Sequence, residues 1–172
     1  MLMSEKKQVL YDLRVSYNGP LIIEDFYAEA DSWIREKGFE KEPKKKMEHI
    51  TKNGKQIEWL IEAQKQLDDL HQGIIIIRVL FDNVIEVVIK KNGKKMRINN
   101  CDALININGF VFSEIHGSFW QAKPAYYFMR ALIDKYIYNF WADKYDGAIK
   151  ADCHDLFKRI RSFFNIQKYK YQ

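Results

Sequence analysis

From Lys44 to Phe112 hydrophobic residues recur mainly at every second position, and on either side of that span they recur at every third or fourth. That change of period predicts an antiparallel sheet flanked by helices. In "KQIEWLIEAQ" the residues Ile57, Trp59, Ile61 and Ala63 share one face, while Glu58, Glu62 and Gln64 share the other, as a half-buried strand requires. Asn53-Gly54 and Asn92-Gly93 each stand between two such runs and mark hairpins. A further alternating run spans Ala103 to Phe112. Upstream, Val9 to Tyr17 reads as a first strand that ends at "YNGP", with Pro20 suited to the first position of a helix. Ile22, Ile23, Phe26, Ala30, Trp33 and Ile34 then follow at helical spacing, and Gly38 stands where a left-handed C-cap belongs.

The last third of the chain reads as helical. "KPAYYFMRALIDKYIYNFWA" opens with Pro124 and is apolar almost all round, with Arg130 and Asp134 as an exposed i, i+4 pair. After "DKYDG" a final helix is predicted from about Ala151 to Phe164, capped by Asp152. Its stripe is Leu156, Phe157, Ile160, Phe163 and Phe164, and Lys158, Arg159 and Arg161 take the opposite side. The expected fold class is α+β: a curved antiparallel sheet of about six strands, with one N-terminal helix and two C-terminal helices. With no repeat, low-complexity segment or composition break, residues 1–172 read as a single domain.

One strand departs from alternation. In "HQGIIIIRVLFDNVIEVVIKKNG" the residues Ile75, Ile77, Val79 and Phe81 form one apolar face, but Ile74, Ile76 and Leu80 form a second, interrupted by Arg78. The second face requires a cover: the last helix crossing the back of the sheet, curvature of the sheet, or another copy of the protein. Ile74, Ile76 and Leu80 are therefore the candidate interface of a homodimer.

The element order resembles the helix-grip fold of the START and Bet v 1 superfamily, in which a curved antiparallel sheet closes on a long helix around a cavity. Two features differ: a single long helix from Pro20 to Lys37 where that fold usually has two short ones, and an additional helix at the end. "WIREKGFEKEPKKKMEHITKNGKQIEWLIEAQK", "DKYIYNF" and "DLFKRIRSFF" also resemble a group of small archaeal proteins of unknown function. None of these pieces is a chemical motif, so that likeness implies a fold and a cytoplasmic setting and no activity. The helix-grip likeness implies a ligand pocket, and the candidates for its lining are Trp33, His49, Trp59, Ile107 and Trp120, with His49 on the inner face beside the strand carrying Trp59.

Composition narrows the chemistry. A net charge of +5 and an aromatic content of 15% favour an acidic partner and require much packed ring area. Basic residues gather at Lys41 to Lys46, Lys90 to Arg97 and Lys158 to Lys170. If the first two clusters lie on adjacent hairpin ends, Lys44, Lys45, Lys46, Lys94, Lys95 and Arg97 form a rim for nucleic-acid phosphates, with Tyr169 and Tyr171 available for stacking. No apolar run reaches the roughly 18–20 residues of a membrane span. Two cysteines and no leader sequence predict a reduced, cytoplasmic protein. His49, His71, His116 and His154 show no metal-ligand spacing, so no metal or other cofactor is expected. Cys153 and His154, being adjacent on a helix, point about 100° apart and do not form a nucleophile and base. Cys101 is expected in a turn. The chain thus reads as a non-catalytic domain binding a small apolar ligand between sheet and helix; the alternative is a basic-surface module binding RNA, a ribosome or an acidic protein.

Overall fold

The computed structural model describes residues 3–115 and 139–171. Their fold is α+β: strands β1 (Met3–Leu21), β2 (Glu40–Thr51), β3 (Gly54–Gln66), β4 (His71–Lys91) and β5 (Lys94–Ile115), with helices α1 (Ile23–Glu36) and α2 (Asn139–Tyr171). The strands form one antiparallel sheet in the order β1-β5-β4-β3-β2. The first strand thus closes beside the last, and the two edge strands carry Pro20 and Pro43, where the absence of a backbone donor is tolerated.

Five long strands replace the six shorter ones that the pattern suggests. β4 passes through Asp82-Asn83 with a register shift and Asn83 at φ +52. The asparagine side chain tolerates that conformation, so the extra residue becomes a bulge that bends the strand without reversing it. "YNGP" likewise does not end β1, because Gly19 and Pro20 still pair with Cys101 and Asn100. Both hairpins form where expected. Asn92 and Gly93, at φ +50 and +75, make the tight mirror-image turn that suits twisted strands. In the other, Lys52 and Asn53 form the loop, and Gly54 already pairs with Thr51.

Alternation correctly assigns the inner face: Ile61, Ile75, Ile77, Val79, Phe81, Ile105 and Ile107 are fully buried there. Both helices cover this same face. On α1 it receives Phe26, Ala30, Trp33 and Ile34. Helix α2 contributes Ile149, Cys153, Leu156, Ile160 and Phe164, a continuous stripe at intervals of three and four residues. Gly73 and Gly109, neighbours on β4 and β5, create the seat for α2, since a β-carbon on Gly73 would stand 2.3 Å from Ile149 Cδ1, and one on Gly109 2.9 Å from Cys153 Sγ. Phe164 stacks on Tyr17 at 4.7 Å and on Phe26 at 5.7 Å, closing one contiguous core. Polar ties flank it: Trp33 Nε1 donates to Asp155 at 2.9 Å, and Arg159 bridges Glu29 and Glu36 of α1.

Expectations about the last helix need correction. It does not begin after "DKYDG" at about Ala151 but is continuous from Asn139 to Tyr171, so Asp152 lies in its interior and is no N-cap. A glycine at position 147 costs about 1 kcal/mol, and the apolar stripe on both sides of it outweighs that through packing. The last helix also does not cover the back of the sheet. Ile74 is nevertheless buried there, opposite Phe110, while Ile76 and Leu80 are half-buried; Lys6 lies 4.4 Å above the Phe110 ring. The predicted aromatic helix from Pro124, apart from its last four residues, and the segment around Trp120 and His116 lie outside the described residues.

Candidate functional site

The sheet is not rectangular. β3 accompanies β4 only as far as Lys55 opposite Val84, and β1 accompanies β5 only from Asn99. Beyond those points β4 and β5 pair with each other alone, from Val87–Ile98 to Lys91–Lys94. Residues 87–91, at about 3.3 Å each, project the two-stranded ribbon by roughly 15 Å. Residues 85–98 hold Lys90, Lys91, Lys94, Lys95 and Arg97 against the single carboxylate of Glu86, a net +4 in a chain of net +5. Among the described residues Lys90, Lys94 and Lys95 have no carboxylate within ion-pair distance, and Arg97 meets Glu86 at 3.5 Å with both side chains well exposed.

The end of α2 supports the ribbon. Lys91 donates to the carbonyl of Lys170 and lies 5.7 Å from the Tyr171 ring, a cation at the negative end of the helix dipole. Lys168, Lys170 and the largely exposed Tyr169 therefore join the ribbon on one side of the molecule. Two of the three basic clusters thus converge. The third does not: Lys44, Lys45 and Lys46 lie within edge strand β2, several residues before its hairpin turn. There Lys44 pairs with Glu42, Lys45 pairs with Glu58, and Lys46 rests 5.3 Å over the Tyr27 ring. The two hairpins point the same way but end at different heights, because β4 and β5 outrun β2 and β3.

The expected pocket residues have separate surroundings. Trp33 is buried against Phe39, Trp59 packs edge-on to Tyr27 at 4.4 Å, and Ile107 is enclosed between β1 and β4. All three belong to the packed core. His49 pairs with Gln56 and is exposed on the outer face; Lys46 takes the place opposite Trp59 because the register shifts between Pro43 and Lys45. Trp120 lies outside the described residues.

A cleft of about 400 Å³ does open between the start of α1 and the root of the ribbon. Ile23, Ile57 and Val84 give it an apolar side, and Glu24, Lys46 and Glu86 a charged rim. Tyr27 lines it with a buried hydroxyl that has no hydrogen-bond partner among the described residues, and burial pushes that phenol up to about 12. Periodicity alone did not single out Tyr27, since it sits beside the buried Phe26 at the border of the apolar stripe.

Elsewhere the chemistry is closed off. Cys101, contrary to its expected place in a turn, is buried in β5; it and Cys153 are free thiols pushed up to about 12 by burial. Asp68 holds His71 Nδ1 at 2.8 Å and accepts from Tyr145 Oη and the backbone N–H groups of Leu70 and His71, which fastens the β3–β4 loop. Among the described residues no group of three or more histidine, cysteine or carboxylate side chains is placed to hold a metal ion. No described helix is long and apolar enough to cross a membrane. Compared with known proteins, the chain matches no family model, no curated protein and no solved structure.

Proposed function

We propose that the protein binds nucleic acid through the phosphate backbone, with the β4–β5 ribbon as the contacting element and the end of α2 beside it. The observation that carries this reading is the ribbon itself: it extends past the sheet, buries little of the core and concentrates net positive charge. Lysines without carboxylate partners displace the cations condensed on nucleic-acid phosphates, so affinity falls steeply with salt. A two-stranded ribbon also matches the roughly 12 Å width of a B-form major groove.

Fluorescence anisotropy with duplex DNA and duplex RNA between 50 and 200 mM salt tests the reading. About four phosphate contacts give a log–log slope near −3.6. Lys94→Glu with Lys95→Glu is expected to weaken binding at least 10-fold and flatten that slope. Binding independent of salt, or untouched by the double substitution, overturns it.

The Tyr27 cleft favours a second reading, a small amphipathic ligand held between sheet and helix. A buried hydroxyl without a partner is costly unless a ligand or water supplies one. The closure of β1 beside β5, with both helices on one face, supports the likeness to the helix-grip arrangement on which that reading rests. Native mass spectrometry of purified protein checks it: a co-purifying small molecule is expected, and its loss in Tyr27→Phe would locate it.

A further inference from the structure

On the outer face of the sheet β1 carries an extra residue. Leu10 pairs with Gly109 and Leu13 with Ile107, so Tyr11 and Asp12 together stand opposite the single residue Asn108. Asp12 adopts φ +53, a conformation that persists only where its surroundings hold it. They do so at three points. The Asp12 N–H donates to Asn108 Oδ1 at 2.8 Å, and the carboxylate accepts from Asn106 Nδ2 and from Arg14 Nη2, the latter at 2.6 Å. Bulges re-aim side chains, and this one turns Tyr11 outward to 78% exposure.

The register then assembles a cationic fork. Arg14 and Arg78 are both cross-strand partners of Asn106, one from β1 and one from β4. Adjacent strands lie about 4.8 Å apart, so the two stems stand roughly 10 Å apart with Asn106 between them, within reach of one group seated above it. Each guanidinium gives one edge to a carboxylate, Arg14 to Asp12 and Arg78 to Glu58 at 3.0 Å. That fixes its orientation and leaves its remaining N–H donors open. The next rung is Leu80 opposite Leu104. The result is a groove of about 430 Å³ with the two arginines on its middle rung, Leu80 and Leu104 on one side of them and Tyr11 on the other.

We propose that this groove binds a nucleoside monophosphate: the phosphate in the fork of Arg14 and Arg78, the base against the Tyr11 ring. Paired guanidinium groups match the oxygens of a phosphate monoester, a tyrosine face stacks any base, and the volume suits a ligand of this size. The site is separate from the basic ribbon and does not depend on the ribbon's role.

Isothermal titration of the full chain with AMP, GMP, CMP, UMP, adenosine and inorganic phosphate tests the assignment. At least one monophosphate is expected to bind with Kd below about 1 mM. Arg14→Ala with Arg78→Ala should weaken it at least 10-fold, Tyr11→Ala several-fold, and Lys94→Glu with Lys95→Glu not at all. Adenosine and free phosphate should each bind at least 10-fold more weakly than the nucleotide. Circular dichroism and Tm verify that the variants fold. Should the alanine pair fail to fold, Arg14→Lys with Arg78→Lys keeps the charge, loses the fork and is expected to show the same loss. Absence of binding by all four monophosphates overturns the proposal. So does binding that survives loss of the fork, free phosphate binding as tightly as the nucleotide, or binding abolished by the ribbon substitutions.

Discussion

At Gly54 the chain enters β3 with φ +143, and a β-carbon there would stand 2.8 Å from the carbonyl oxygen of Val84. Both the backbone conformation and the space require glycine. Gly54→Ala is expected to cost about 1–3 kcal/mol, read as a lowered midpoint of urea unfolding with unchanged m-value. A second residue effect depends on pH. Burial alone would raise the Asp68 carboxyl, but its bonds from Tyr145, the Leu70 N–H and His71 outweigh that and bring it to about 2, below its ordinary 3.8. A depressed carboxylate stabilises the fold above its unfolded value, and the contribution fades as pH falls through the folded one. Wild-type stability should therefore decline between about pH 4 and pH 2 more than that of Asp68→Asn, measured by chemical denaturation at each pH. Neither position was legible as such: Gly54 showed only as half of a turn signal, and Asp68 adds to its local partners Leu70 and His71 the hydroxyl of Tyr145, from a helix far along the chain.

Among the elements, α2 shows what pattern reading captures and misses. Leu156, Ile160 and Phe164 were legible as a stripe because a helix repeats every 3.6 residues. The continuation of that stripe through Ile149 was hidden by Gly147, a local signal that tertiary packing overrides. Ile149 seats against Gly73 and Gly109, and two glycines in a strand pattern do not disclose which helix approaches them. Removing the knob, Ile149→Ala, should cost about 2–5 kcal/mol. Filling the seat, Gly109→Ala, should cost about 1–3 kcal/mol, and because the two changes act on the same contact, the double variant should lose less than the sum, as a double-mutant cycle of unfolding free energies would show.

For the whole molecule the decisive feature is that β4 and β5 are longer than their neighbours. Only Val84 and Ile98 bring buried apolar side chains to the ribbon's base, while Ile85, Val87 and Val88 remain exposed. Replacing residues 88–97, between the paired Val87 and Ile98, by a two-residue Asn-Gly turn should therefore lower Tm by only a few degrees while removing most of the salt-dependent nucleic-acid affinity. Thermal unfolding and anisotropy on the same preparation check both halves of that expectation. A shortened protein that no longer folds would show instead that Lys91 at the end of α2 is essential to the core.

The α+β class, the α1 helix, both hairpins and the inner face of every central strand are readable from the order of amino acids. These follow from local periods and turn chemistry, which each segment carries alone. Other features exist only in the folded chain: that α2 lies on the same face as α1, that His49 points away from Trp59, that Lys44 to Lys46 part company with Lys90 to Arg97, and that Arg14, Asn106 and Arg78 share a rung. Each depends on register or strand length between segments far apart in the chain. A shift of one residue, such as the bulges at Asp12 and Lys44, moves a side chain to the other face without leaving a trace in the local pattern.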